Sequence, residues 1–244
     1  MTNLKLKLVH LYPLFLNIYG DIGNIRVLQK RCEWRGIELE IQQFNIGDNL
    51  DIGTDIFFIG GGQDRQQVEV SEDLQKYKTL LTDEYENNAV FLGICGGYQL
   101  MGEYYQPHDA ERLEGINILD AHTVAGSTRF IGNVTAKIDY LGENSTLVGF
   151  ENHSGLTYLR GDTKPMAEII IGNGNNGADK TEGARSKNAF GTYLHGSFLP
   201  KNPHFADYMI KLALQKRYND EFNLEPLDDT LEFKAHESVL NKAY

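Results

Sequence analysis

A chain of 244 residues with 41% hydrophobic side chains is long enough to bury a sizeable core, which excludes disorder as the default state. Its 34 acidic against 23 basic residues leave a formal net charge of −11, which argues against a broad nucleic-acid or anionic-membrane footprint. Two cysteines make no disulfide framework, and neither a signal peptide nor an apolar run of about 18 residues is present, so a soluble protein in a reducing cytoplasm is expected.

Residues 4–11 predict a first strand, followed by a polar loop over 17–24 with Gly20 and Gly23 as breakers. Ile25, Val27, Leu28 and Cys32 recur at helical spacing over 24–35, and Gly36 stops that helix. Cys32 there reads as a small buried hydrophobe. Residues 37–44 alternate like a strand; 55–59 form a buried strand that ends in Gly60-Gly61-Gly62. A helix is expected over 66–86 and a buried strand over 89–94. Strands alternating with helices predict an α/β fold with a doubly wound, mostly parallel sheet. In the second half, strands over 130–140, 146–151, 167–172 and 189–194, with short turns such as 172–177, predict added antiparallel pairing. A helix over 203–218, with Pro203 in its first turn, and a helical pattern in the tail 224–244 complete the chain. With no repeat, low-complexity tract or linker, residues 1–244 read as one domain.

The run Phe91-Leu92-Gly93-Ile94-Cys95-Gly96-Gly97-Tyr98 carries the chemistry. A buried strand that turns sharply into a helix, with glycines two residues before and after a cysteine, follows the logic of the nucleophile elbow, with sulfur as the nucleophile. The helix start favours thiolate over thiol. Acyl transfer also needs oxyanion donors: the backbone N–H of Gly96 is one, and the loop Gly60-Gly61-Gly62-Gln63-Asp64 lies at the same carboxyl edge of the sheet. That loop is no P-loop, because no Gly-Lys-Ser/Thr follows.

Seven histidines compete for the role of base. His10 ends the first strand, His122 lies in an irregular stretch, and His108, His204 and His236 stand in polar or helical surroundings that suit solvated side chains. His195 and His153 both follow strands; His195 is favoured and His153 is the runner-up. Two residues past His195, where an acid is usual, stands Ser197. Either the pair works as a dyad, or the acid comes from Glu151 or from another subunit. Arg129, at a strand mouth, suits a substrate carboxylate.

Together these residues resemble the class I, triad-type glutamine amidotransferases, in particular the cobyric-acid-synthase-like branch with its Cys–His pair. Within that branch the chain looks like the GatD-type glutaminase subunits of lipid II isoglutaminyl synthases. The resemblance rests on Leu16-Asn17-Ile18-Tyr19-Gly20-Asp21-Ile22-Gly23-Asn24, the 60–64 loop, the elbow at Cys95, Gly149-Phe150-Glu151-Asn152-His153 and Tyr193-Leu194-His195-Gly196. It implies a flavodoxin-like sheet and hydrolysis of L-glutamine to glutamate and ammonia through a Cys95 thioester. His195 would assist, Gly96 with Gly61 or Gly62 would hold the oxyanion, and Arg129 would contact the glutamine α-carboxylate.

The resemblance further implies a heterodimer with a Mur-ligase-like, MurT-type subunit that amidates D-glutamate in the lipid II stem peptide. ATP and Mg are expected on that partner, with no cofactor or metal in this chain and membrane contact only indirectly, through lipid II. A cobalamin-precursor amidotransferase is an alternative, although that branch usually carries a fused synthetase. A cysteine hydrolase of the same superfamily and a non-catalytic scaffold are the others.

Overall fold

Short apolar runs without polar alternation need cover on both faces, and the intervening segments are long enough to supply it as helices. In the computed structural model, which describes residues 4–142 and 145–240, such runs are β3 (Ile56–Ile59) and β4 (Val90–Ile94); beside them lie β1 (Lys5–Leu11) and the edge strand β2 (Glu38–Phe44), which alternates polar and apolar residues. Helix α1 (Ile22–Glu33) joins β1 to β2, and α2 (Asp64–Lys76) with α3 (Lys78–Glu86) joins β3 to β4. Every residue of β3 and β4 is buried.

The chain continues through α4 (Gly96–Met101), β5 (Tyr104–Gln106), β6 (Leu113–Glu114), β7 (Ala121–Lys137), β8 (Thr146–Leu159), β9 (Ala167–Ile171), β10 (Thr181–Glu182), β11 (Ala184–Ser186) and β12 (Ala189–Thr192). It closes with α5 (Pro203–Tyr218) and α6 (Thr230–Leu240).

The first sheet has the order β2-β1-β3-β4-β12-β11, parallel throughout except for the β12–β11 pair. This is the flavodoxin-like order, whose switch point lies between β1 and β3 and whose ligands bind beyond the carboxyl ends of the strands. The second sheet has the order β10-β9-β7-β5-β6, with β8 paired to β7. Only β5 and β7 run parallel in it. The β7–β8 hairpin runs from Ala121↔Leu159 to Lys137↔Thr146, with its register broken between Ala125 and Phe130. One backbone bridge, Phe150 to His195, clips this hairpin to the segment after β12. A single apolar cluster runs through both sheets.

Several elements differ from the sequence expectation. The helix expected over 66–86 is broken at Tyr77, whose ring packs on Phe44 (centroids 4.9 Å apart) and whose hydroxyl donates to Asp48 O. The strands expected to begin at 130 and to end at 151 are far longer. In β8 the inward positions beyond Phe150 are Glu151, His153, Gly155 and Thr157, so the alternation that marks a strand is carried by polar and small residues. His122 is not in an irregular stretch but inside β7, between the rings of Tyr104 and Tyr158. His236 is buried, bonded to Thr146 Oγ1 and Lys201 O, rather than solvated. The tail is helical only from Thr230, and the predicted residues 241–244 and 1–3 lie outside the described residues.

Candidate active site

Strand β4 ends at Ile94, and Cys95 turns the chain with φ 50° and ψ −105°, a conformation an L-residue adopts only when its surroundings enforce it. Its amide donates to Thr192 O (2.8 Å), and its carbonyl accepts from Gln99, opening α4. Glycine at 97 is a packing necessity: a Cβ there would lie 2.3 Å from Ile59 O. The elbow therefore rests on β3, and Gly97 N–H donates to Gly60 O (3.1 Å), tying the elbow to the glycine loop.

Within that loop the three glycines are not equivalent. A Cβ on Gly96 would meet Gly62 N at 3.1 Å, so the glycine loop and the elbow come together at Gly62 and Gly96. Gly61 does not join them. Its N–H donates to Asp21 Oδ2 at 2.6 Å, which removes Gly61 from the expected set of oxyanion donors: its one hydrogen is already aimed into a carboxylate.

His195 follows β12 and is 1% exposed. Its backbone is held on both sides by Phe150 (N–H to Phe150 O 2.9 Å; Phe150 N–H to His195 O 3.3 Å). The ring meets Tyr19 edge-on at 4.8 Å, and its Nδ1 lies 3.9 Å from Asp21 Oδ1. Neither ring nitrogen has a hydrogen-bond partner among the described residues. Burial alone would depress the imidazole, but Asp21 and then Cys95 more than reverse it, pushing His195 up to about 9.

His153 has other company. Nδ1 bonds with Gly155 O (2.9 Å), the ring stacks on Tyr193 (3.6 Å between centroids), and Nε2 lies 3.9 Å from Glu151 Oε2. Glu151 accepts from Asn173 N (3.0 Å), Asn173 Nδ2 (2.7 Å) and Gly174 N (2.9 Å). Burial raises its carboxyl, and His153 with these donors brings it below its ordinary value. Glu151 thus faces His153, not His195, so the internal acid considered for His195 serves another ring.

A cavity of about 390 Å³ opens over Cys95, lined also by Gly62, Gln67, Gln99, Arg129 and His153. Arg129 stands at the broken register of β7, where the bulge turns the strand. Its Nε donates to Asn152 Oδ1 (2.7 Å), and Asn152 Nδ2 donates to Tyr19 Oη (2.8 Å), forming a polar row. Cys95 and Arg129 share this cavity wall; His195 lies buried at its edge beneath Tyr19.

Tyr19, Asn152 and above all Asp21 were missed as individual residues in the sequence. Asp21 sits at the N-cap position of α1, where a carboxylate reads as a helix cap, yet its side chain makes no cap bond. The available signal was its place after β1, at the same sheet edge as the elbow.

The fold has known counterparts. A chain in the structure of PurLQS from Thermotoga maritima matches with a TM-score of 0.57 at 16% identity, covering 89% of this chain and 99% of that one. A crystal structure of a glutamine amidotransferase gives 0.58 at 15% identity, covering 84% and 98%. These likenesses concern the fold. The family follows from sequence: residues 7–203 match the CobB/CobQ-like glutamine amidotransferase domain, and the chain belongs to that family of glutamine amidotransferases.

Among its relatives, the GatD subunit of lipid II isoglutaminyl synthase (glutamine-hydrolyzing) from Staphylococcus aureus strain N315 is 38% identical over 240 residues, 98% of this chain and 96% of that protein. The GatD subunit from Streptococcus pneumoniae is 38% identical over 229 residues, 93% of this chain and 87% of that protein. A probable cobyric acid synthase from Methanococcus maripaludis is 33% identical over 153 residues, 59% of this chain and 29% of that protein.

Proposed function

We propose that this chain is the glutaminase subunit of a lipid II isoglutaminyl synthase. The observation that carries the chemistry is Cys95, held at positive φ on the cavity wall beside Gly62, Gly96 and His195. The end-to-end likeness to two GatD subunits supports the acceptor.

Cys95 Sγ, as thiolate, attacks the side-chain amide carbon of L-glutamine. The negative charge that develops on the carbonyl oxygen is taken by the N–H groups of Gly62 and Gly96. The carbon–nitrogen bond breaks as protonated His195 gives its proton to the departing nitrogen, which leaves as ammonia. His195, now neutral, takes a proton from water; the hydroxide attacks the thioester, and glutamate leaves as the sulfur departs. Arg129, oriented by Asn152, holds the glutamine α-carboxylate.

The ammonia passes to a Mur-ligase-like, MurT-type subunit in a heterodimer on the cytoplasmic side, which amidates the D-glutamate α-carboxylate in lipid II. ATP and Mg belong to that subunit. The test is to co-express the two chains and follow lipid II amidation with glutamine or with an ammonium salt. Cys95→Ala is expected to abolish the glutamine-driven reaction and to leave the ammonium-driven one. Glutamate release by Cys95→Ala would overturn the mechanism, and an active glutaminase whose complex leaves lipid II unamidated would overturn the acceptor.

A further inference from the structure

Beside the Cys95–His195 pair lies a buried carboxylate to which the reaction gives no role. Asp21 is fully buried; Oδ2 accepts the Gly61 N–H, while Oδ1 has no hydrogen-bond partner among the described residues. An unpaired buried carboxylate oxygen is costly unless a complementary charge faces it. The group that faces it is His195 Nδ1, at 3.9 Å, itself without a hydrogen-bond partner.

The surrounding contacts hold this meeting in place. Ser197, at the position where the acid is usual, donates its hydroxyl to Gly20 O (2.5 Å). Leu199 N–H donates to Asn24 Oδ1 (2.8 Å), and Ile18 N–H to Gly61 O (3.2 Å). A Cβ on Gly23 would lie 2.2 Å from Ser197 Oγ, so only glycine lets the two segments approach this closely. The loop before α1 is thereby stapled to the glycine loop on one side and to the segment carrying His195 on the other.

We propose that Asp21 is the positioning carboxylate of the Cys95–His195 pair, aligning the imidazole through one oxygen and the oxyanion loop through the other. This rests on the glutaminase reading above. A carboxylate at Nδ1 keeps the proton there and leaves Nε2 for the sulfur and the leaving nitrogen. At 3.9 Å the contact is a charge pair of imidazolium with carboxylate, and it tightens to a hydrogen bond in the reacting complex. The titratable groups about the ring are Asp21 from the start of α1, Cys95 from the elbow and Tyr19 from the loop. The third member has thus moved from two residues past the histidine to a different loop of the same chain, and Ser197 has become the clasp that keeps it there.

The experiment is Asp21→Asn, with Asp21→Glu and Ser197→Ala, each in the full chain co-purified with its ligase subunit. For Asp21→Asn, kcat for glutamine hydrolysis is expected to fall about 100-fold or more while KM stays within about threefold. Asp21→Glu is expected to regain part of the rate, and Ser197→Ala to lose less, in the same sense.

The pH profile for alkylation of Cys95 by iodoacetamide supplies a readout independent of turnover. It is expected to shift in Asp21→Asn and to keep its position in Asp21→Glu. Unchanged kcat, a loss confined to KM, or an unmoved alkylation profile overturns the proposal. A complex indifferent to Asp21→Asn does so as well, since the acid would then come from the partner. Should Asp21→Asn fail to fold, Asp21→Glu and Ser197→Ala decide by the same two readouts. If the parent complex releases no glutamate, the glutaminase reading fails by itself, and the alkylation profile still judges Asp21.

Discussion

The two sheets bring side chains to one cavity from different kinds of backbone. In the parallel sheet, residues 60–62, Cys95 and His195 each follow the carboxyl end of a strand buried to its last residue. In the second sheet, Arg129, Asn152 and His153 lie within the long β7–β8 hairpin, and Arg129 is exposed. Atoms that must meet within a few tenths of an ångström are thus anchored in the close-packed core, where strand ends cannot drift. Arg129, Asn152 and His153, which line the same cavity, are set on a bulged ribbon that touches the segment after β12 at the Phe150–His195 bridge.

Substitutions sharpen this contrast. The largest effect is expected in the first sheet: Cys95→Ala abolishes glutamate release with melting temperature maintained, measured by coupled glutamate assay and calorimetry. Next, His195→Ala is expected to lower kcat by about 2–4 orders of magnitude. His153→Ala, from the second sheet, costs far less, because that ring is stacked on Tyr193 and answered by Glu151. The opposite ranking would move the base into the hairpin and break the comparison.

Arg129→Ala is expected to raise KM for glutamine about 10-fold or more, the size of a lost charge-assisted contact, with kcat little changed. An unchanged KM would deprive the hairpin of its substrate contact.

The smallest effect concerns Glu182, where the two sheets meet. Its carboxylate accepts from Thr192 Oγ1 (2.5 Å) and Tyr193 N (2.9 Å), and burial pushes it from 4.5 up to about 7. The folded chain then keeps a proton that the unfolded chain releases, so this contribution to stability is full below 4.5 and lost as pH rises through about 7. Glu182→Gln is expected to flatten the melting temperature across that window by the equivalent of about 1–3 kcal/mol. A profile parallel to that of the parent would remove Glu182 from the account.

The parallel half was readable because its constraints are local. Apolar runs 55–59 and 89–94 have no alternative to a doubly covered strand. Gly93 and Gly97 flank Cys95 for reasons of backbone contact, now seen in the 2.3 Å approach of a Cβ at 97 to Ile59 O. The hairpin was only partly readable, because its inward positions Glu151, His153 and Thr157 are polar and hide the alternation. The two-residue strands β6 and β10 leave no periodicity to detect.

Residue order alone therefore specified the sharp turn at Cys95, the glycine loop and the doubly wound frame, since each depends on neighbours a few positions away. Which glycine amide bonds to a carboxylate, which carboxylate faces which histidine, and what Arg129 bonds to were settled by folding. Those choices depend on β1, β3, β4 and β12 ending at one edge, which brings Asp21 against a histidine far along the chain. No spacing rule within a single segment encodes that meeting.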